Sequence, residues 1–70
     1  MPSTVIHDFR YDPGTSRLVI EFNTGLRYAY FGVPTEVYVG MRDALSWGTY
    51  FNTWIRDRYS YSRLDFHTAA

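Results

Sequence analysis

The chain of 70 residues contains no cysteine, so it lacks the cross-links that often stabilise a very small domain. Disulfide bonds and thiolate zinc sites are excluded. The two histidines, His7 and His67, lie far apart in sequence, and neither has a second ligand at metal-binding spacing. We therefore expect no metal and no cofactor.

Lysine is also missing, so all seven basic residues are arginine, and the net charge is zero. A zero net charge argues against a strongly basic nucleic-acid binder, whose affinity depends on phosphate neutralisation. Arginine, however, stacks on rings and forms paired hydrogen bonds with phosphate or carboxylate, so the bias suits contact with RNA or a protein. A GC-rich genome would produce the same bias, and that explanation stays open.

Long apolar segments are absent as well, and no run approaches the ~18–20 residues that span a bilayer. The N-terminus lacks a basic segment followed by an apolar one, so no secretory signal is predicted. We expect a cytoplasmic protein that does not contact membranes. The length allows one domain, with a core over about residues 3–64 and a frayed tail at 65–70.

Enzyme signatures are not found either. The chain has no nucleophile elbow, phosphate loop or glycine-rich dinucleotide turn. Its carboxylates are few, and most have an arginine near them in sequence. A catalytic pocket is difficult to build in so short a chain. We therefore predict no catalytic residues and no enzymatic activity.

Aromatic residues, by contrast, make up 20% of the chain. Each large ring buries about 150–250 Å², so a few rings can form a core that a short chain could not build from aliphatic residues. Rings that do not fit inside are exposed, and exposed rings are typical of binding surfaces. The composition therefore predicts a small binding module.

Three segments alternate between apolar and polar residues, as strands with one buried face do. The predicted core-facing residues are Val5, His7, Phe9 and Tyr11 in the first strand, Leu18, Ile20 and Phe22 in the second, and Leu26, Tyr28 and Tyr30 in the third. Ile6 is assigned to the opposite face. Residues 12–15 form the first turn, in which Gly14 is expected to accept a positive φ.

The loop lengths predict which residues face each other across the strands. A three-residue loop with Gly25 in the left-handed conformation opposes Ile20 to Tyr28 and Glu21 to Arg27. A four-residue loop in the first hairpin opposes its strands as follows: Phe9 to Leu18, Val5 to Phe22, and Arg10 to Arg17. All three strands then share one core face.

Two short helices are expected after the strands. Pro34 suits the first turn of a helix, and the predicted inner residues of that helix are Val37, Met41, Ala44 and Leu45. Gly48 is expected to end it, and Thr49 to cap a second helix with Phe51, Trp54 and Ile55 turned inward. Residues 59–64 form an extended arm anchored by Leu64. The predicted class is α+β, a three-stranded antiparallel β-meander followed by two short helices on one face (β-β-β-α-α).

An ordered set of residues along nearly the whole chain resembles the KTSC domain family. The set comprises Tyr11, Asp12, Tyr28, Ala29, Tyr30, Gly32, Val33, Pro34, Ser46, Trp47, Gly48, Thr49, Tyr50, Phe51, Asn52, Ile55, Arg56 and Tyr59. The family is named for the C-terminal region of some lysyl-tRNA synthetases and also occurs as stand-alone bacterial proteins. The resemblance implies no established activity, although the synthetase context suggests RNA binding. Trp47 is bulkier than the resemblance leads us to expect between the helices.

The motif residues are interpreted as mainly structural. They are Tyr11, Tyr28, Tyr30, Pro34, Gly48, Phe51 and Ile55. Tyr28 and Tyr30 could stack bases, as in sheet-based RNA binders. Their shared parity with Leu18 and Ile20 instead favours a place in the core.

Two surfaces remain as candidate contacts with RNA or a protein. The first is the open sheet face, which carries Arg10, Arg17, Arg27 and Phe31. An anionic ligand would relieve the predicted Arg10–Arg17 pair, but a solvated face or a dimer interface explains the same residues. The second is a basic, ring-rich region with Asn52, Arg56, Arg58, Tyr59, Tyr61 and Arg63. The predicted function is a non-enzymatic binding module that contacts RNA. The alternative is a protein-interaction or homodimerisation module that uses the open sheet face.

Overall fold

The computed structural model describes residues 6–64, which form one antiparallel sheet and two helices. The elements are β1 (Ile6–Asp12), β2 (Arg17–Phe22), β3 (Arg27–Tyr30), α1 (Thr35–Asp43), α2 (Trp47–Trp54) and β4 (Tyr61–Leu64). The strand order in the sheet is β1-β2-β3-β4. The α+β class and the two helices are confirmed, but the sheet has four strands and not three. Neither helix of this described region has the length and apolarity to cross a membrane.

The β2–β3 hairpin has the predicted register. Ile20 faces Tyr28, and Glu21 faces Arg27, whose side chains approach to 3.8 Å. Gly25 has a φ of 92°, a conformation that costs glycine little because it has no Cβ. The three-residue loop therefore sets the pairing of these two strands.

The β1–β2 hairpin keeps the predicted loop length but shifts it by one residue. The loop is residues 13–16, so Phe9 faces Ile20 and Arg10 faces Val19. The predicted Arg10–Arg17 pair is therefore wrong. Arg17 instead faces Asp12, an opposite-charge pair that favours the shifted register.

The turn of this hairpin also differs in the residue that reverses the chain. The Gly14 amide donates to Asp12 Oδ1 at 3.0 Å, and the Thr15 amide donates to the Asp12 carbonyl at 3.3 Å. Ser16, and not Gly14, has the positive φ, at 56°. The prediction for Gly14 was wrong because the later loop places the left-handed residue at the end of the turn.

A β-bulge at His7 changes which residues of β1 face the core. The register shifts between Ile6 and Asp8, and Ile6 faces Phe22. Ile6 packs against the core, whereas His7 is exposed. The predicted faces of these two residues are therefore reversed, because the extra residue of a bulge inverts the alternation beyond it. Val5 lies outside the described residues.

Helix α1 begins at Thr35, so that Pro34 is its N-cap residue and not part of its first turn as predicted. The helix buries Met41 completely. It ends at Asp43, and Ala44 has an extended backbone with φ −72° and ψ 148°. Leu45 therefore leaves the helical repeat and is fully exposed. Its assignment to the inner face was wrong for that reason.

Helix α2 begins earlier than predicted, at Trp47. Its cap is Ser46, whose hydroxyl accepts a hydrogen bond from the Thr49 amide at 3.3 Å. Gly48 consequently lies inside α2 and does not end α1, and Thr49 is not the cap.

The inward residues of this second helical segment are only partly those predicted. Phe51 and Ile55 are buried, as predicted. Trp54 is half-exposed, because it lies on the outer side with Arg58 stacked 5.5 Å from its ring.

The predicted extended arm is the fourth strand of the sheet. Tyr61 faces Tyr30, Arg63 faces Tyr28, and Leu64 faces Arg27. Leu64 is exposed and does not anchor the segment. A strand this short has little periodicity of its own, and its pairing partner lies about thirty residues away in sequence, so local patterns did not reveal the pairing.

The core lies between the sheet and the helices. Its buried residues are Leu18, Ile20, Tyr30, Val33, Met41, Phe51 and Ile55. The two helices meet where Tyr50 crosses Gly40, and the Tyr50 hydroxyl donates to the Val37 carbonyl at 3.1 Å. A second tyrosine hydroxyl, that of Tyr11, donates to the Val33 carbonyl at 2.6 Å. Tyrosine therefore contributes both apolar area and specific hydrogen bonds.

Candidate binding groove

A groove of about 370 Å³ lies on the helical face of the sheet, beside β3 and β4. We call it the tyrosine groove. Its lining residues are Phe22, Leu26, Tyr28, Tyr30, Phe51, Arg56, Asp57 and Tyr61. Phe51 closes its inner side, with ring centroids 5.6 Å from Phe22 and 5.5 Å from Tyr30.

Three tyrosines form the floor and one rim of the groove. Ring centroids lie 5.4 Å apart for Tyr28 and Tyr61, 5.4 Å for Tyr30 and Tyr61, and 6.4 Å for Tyr28 and Tyr30. Directly paired residues of an antiparallel sheet point to the same face, and the pairing of Tyr61 with Tyr30 therefore brings the cluster together. Tyr30 is only 4% exposed whereas Tyr61 is 56% exposed. Tyr30 is thus the floor, and Tyr61 is the ring that a ligand can reach.

The environment keeps the Tyr30 hydroxyl protonated. The pKa of Tyr30 is raised to about 12, mainly by burial and then by the neighbouring Tyr61 and Tyr28. Arg56 lowers the pKa of Tyr30, and Asp57 raises it. At neutral pH this hydroxyl is therefore a hydrogen-bond donor beside the cluster of rings.

Charged side chains of both signs border the groove. Arg56 and Asp57 line it directly. Arg63 faces Tyr28 across β3 and β4, and so projects from the same face of the sheet. The groove therefore combines an accessible ring with one arginine and one carboxylate, and a second arginine lies on the same face of the sheet.

The open sheet face is less suited to an anion than predicted. A smaller cleft of about 280 Å³ is lined there by Asp8, Phe9, Arg10, Val19, Glu21 and Arg27. Arg10 shares it with two carboxylates, and Arg27 pairs with Glu21 at 3.8 Å. Phe31 is 40% exposed. With Ile6 turned to the core, the apolar part of this face is also smaller than expected.

The remaining predicted contact residues lie apart from the groove. Arg58 stacks on Trp54, and its Nε donates to the Thr53 carbonyl at 3.2 Å. Tyr59 packs against the core. Asn52 is exposed on α2. From the predicted set, the structure therefore brings Arg56 and Tyr61 together in the groove and places Arg63 on the same face of the sheet, opposite Tyr28.

Most motif residues have structural positions. Tyr30, Phe51 and Ile55 are buried in the core, and Tyr11 and Tyr28 pack against it. Pro34 caps α1. The bulky Trp47 is not in a loop but is the first residue of α2, where its ring meets Phe9 edge-on at 4.7 Å.

Three lining residues of the groove, Phe22, Leu26 and Asp57, were not predicted from the sequence. They were missed because the pairing of β4 with β3, which forms the groove, was not predicted. The shared parity of Tyr61 and Arg63 was the available signal. It indicates one face for both side chains once the segment is recognised as a strand.

Comparisons with known proteins agree with this fold. The KTSC domain pattern matches residues 2–59. A lysine–tRNA ligase of Nostoc sp. is 39% identical over 59 residues, which are 84% of this chain and 10% of the ligase. An uncharacterised protein of Stutzerimonas stutzeri is 35% identical over 93% of both chains. The crystal structure of a KTSC domain protein from Yersinia pestis superimposes with a TM-score of 0.82 at 29% identity, covering 93% of this chain and 92% of the other.

The matches fall into two groups by length. The chain spans only about a tenth of the lysine–tRNA ligases that it matches, but nearly all of the Stutzerimonas and Yersinia proteins. The same fold thus occurs as part of a larger enzyme and as a small protein. The chain belongs to the KTSC domain family.

Proposed function

We propose that this domain is a non-enzymatic module that binds an unpaired segment of RNA in the tyrosine groove. One base stacks on the exposed ring of Tyr61, and the flanking phosphates meet Arg56 and Arg63. The observation that carries the proposal is the close clustering of Tyr28, Tyr30 and Tyr61 beside Arg56.

Stacking supplies the main attraction in this proposal. A base stacked on an aromatic side chain gains about 1–3 kcal/mol, with little dependence on which base it is. The neutral Tyr30 hydroxyl donates a hydrogen bond to a base or ribose oxygen. The Asp57 carboxylate accepts one from a base amino group. The groove is therefore suited to a single base more than to a duplex.

The charge balance predicts moderate affinity. With a net charge of zero, long-range attraction to RNA is weak, and binding depends on the arginines at the groove. Two phosphate contacts to a single strand correspond to a slope of log K against log salt of about −1.4. A strongly basic RNA-binding protein would have a much steeper slope.

The relatives support RNA as the ligand class. Lysine–tRNA ligases carry a segment 37–39% identical to this chain. A protein that acts with tRNA gives an attached module frequent access to RNA. Because the chain matches only about a tenth of these ligases, the ligase activity itself is not proposed for it.

NMR titration with a short single-stranded RNA tests the proposal. At low salt, we expect the backbone amide signals of Arg56, Asp57 and Tyr61 to shift, and the shifts to diminish at moderate salt. Tyr61→Ala should weaken binding about tenfold or more, because it removes the accessible ring. The matched control is Phe31→Ala, which removes an exposed ring that does not line the groove and should leave binding unchanged. An absence of shifts at low salt, or equal effects of the two substitutions, would contradict the proposal.

A further inference from the structure

Strand β4 forms one edge of the sheet, and all four of its residues are exposed. Within residues 6–64, no further strand lies beyond it. The Phe31 amide donates to the Ser60 carbonyl at 2.9 Å. Antiparallel pairs alternate between bonded and non-bonded positions, so Ser60 and Ser62 direct their backbone groups to β3. By the same alternation, Tyr61 and Arg63 direct their backbone N–H and C=O groups to the outer edge of the sheet.

The two residues that present their backbone at this edge also present their side chains to the groove. Tyr61 faces Tyr30, and Arg63 faces Tyr28. Any strand that adds to β4 therefore places its own side chains next to the tyrosine groove. The edge and the groove form one continuous surface.

We propose that two copies of this chain pair antiparallel through β4, about a two-fold axis at Ser62. Tyr61 then faces the partner's Arg63, and Arg63 faces the partner's Tyr61. Both outward-facing residues of each copy exchange backbone hydrogen bonds with the other copy. The sheets of the two copies join into one.

Cation–π pairing and the avoidance of like charges select the second copy and this register. Tyr61 opposite the partner's Arg63 is a cation–π pair, and the symmetry repeats it on the other side of the axis. Shifting the strands in one direction sets Arg63 against the partner's Arg63, a like-charge pair that is destabilising. Shifting them in the other direction leaves Arg63 without a facing residue of β4. The strand is thus complementary to itself in one register.

The pairing would complete the tyrosine groove. Neighbouring strands lie about 4.8 Å apart, so the partner's Arg63 is placed beside the Tyr61 ring and adds a positive charge to each groove. The two grooves then become one surface over the paired β4 strands. The pairing itself does not depend on RNA, and it is measured without RNA.

A charge-swap experiment tests the pairing, because in the proposed dimer Ser62 faces the partner's Ser62 across the two-fold axis. Sedimentation of the full chain is followed from about 10 μM to about 1 mM, since so small an interface is weak. We expect Ser62→Lys and Ser62→Glu each to weaken dimerisation about fivefold. An equal mixture of the two variants should dimerise at least as well as wild type. The matched control pair is Thr53→Lys and Thr53→Glu, at an exposed position on α2, and it should have no effect.

Amide hydrogen exchange of the wild-type chain gives a second measurement that needs no substitution. The Tyr61 and Arg63 amides should exchange more slowly as concentration rises, while the Ser62 amide, directed to β3, changes little. A wild-type monomer at 1 mM would overturn the proposal. So would a dimer that is insensitive to the Ser62 substitutions, or concentration-dependent protection confined to other residues.

Discussion

Tyr30 lies at the boundary between the core and the tyrosine groove. Its ring packs edge-on against Phe51, and its pKa is raised to about 12 by burial and then by Tyr61 and Tyr28. An ordinary tyrosine ionises near pH 10, as it does in an unfolded chain. The folded protein therefore keeps this proton over a pH interval in which the unfolded chain loses it.

We predict that the free energy of unfolding falls as pH rises from about 10 to about 12. Above pH 10 the unfolded state binds fewer protons than the folded state, so stability decreases with pH, by about 2–3 kcal/mol in total. Urea unfolding at intervals from pH 8 to pH 12 measures this loss.

Tyr30→Phe is the matched variant, because it keeps the ring and removes the ionising group. Its loss of stability over the same pH range should be smaller by about that amount. Burial also raises the pKa of Tyr50, but Tyr50 is present in both proteins and cancels in the comparison. Equal alkaline losses in the two proteins would show that Tyr30 does not titrate in this way.

At the scale of elements, the crossing of α1 and α2 depends on a glycine. A Cβ on Gly40 would lie 2.9 Å from Tyr50 Cζ and closer still to the hydroxyl. That hydroxyl is held by its bond to the Val37 carbonyl. The two helices can therefore approach this closely only because Gly40 has no side chain.

We predict that Gly40→Ala destabilises the domain by about 1–3 kcal/mol, because the added methyl group displaces the Tyr50 ring. Tyr50→Phe alone should cost about 1 kcal/mol through the lost hydrogen bond. The double variant should cost less than the sum, because without the hydroxyl the closest clash disappears. Chemical denaturation of the four proteins measures this coupling, and strictly additive costs would contradict it.

The type and facing of β2 and β3 were predictable because they depend on local alternation. Leu18, Ile20 and Tyr30 share one parity, and all three are buried. The hairpin with Gly25 was predictable for a similar reason, since three residues determine its loop. The β1–β2 register was not, because a four-residue loop can begin at Asp12 or at Pro13 without changing which face is apolar.

The groove was harder to predict than the fold because it is assembled from distant segments. Phe22, Tyr30, Asp57 and Tyr61 meet only after β4 pairs with β3. The four residues of β4 do not alternate clearly between apolar and polar side chains. The site residues that were identified, Arg56, Tyr61 and Arg63, came from composition, whereas their arrangement came from tertiary pairing.

At the scale of the whole molecule, stability is distributed unevenly across the sheet. β2 lies between two strands and contributes the fully buried Leu18 and Ile20. β4 lies at an edge, and all its residues are exposed. Regions with few buried apolar contacts open with a lower free energy than the core.

We predict that amides of β4 bonded to β3, such as Ser62, exchange with solvent much faster than those of Leu18 and Ile20. Opening of β4 needs only the loss of edge contacts, whereas exposure of β2 needs global unfolding. Hydrogen exchange followed by NMR at low protein concentration measures both. Equal protection in β2 and β4 would mean that the sheet opens as one unit.

The bulge at His7 has a consequence for how far copies of this protein can assemble. An edge interrupted by a bulge is a poor template for a further strand. Among residues 6–64, β1 occupies the edge opposite β4 and contains that interruption. In the proposed pairing, a sheet with one receptive edge and one irregular edge should stop growing after a single pairing, and we expect this to protect an aromatic-rich chain against fibre formation.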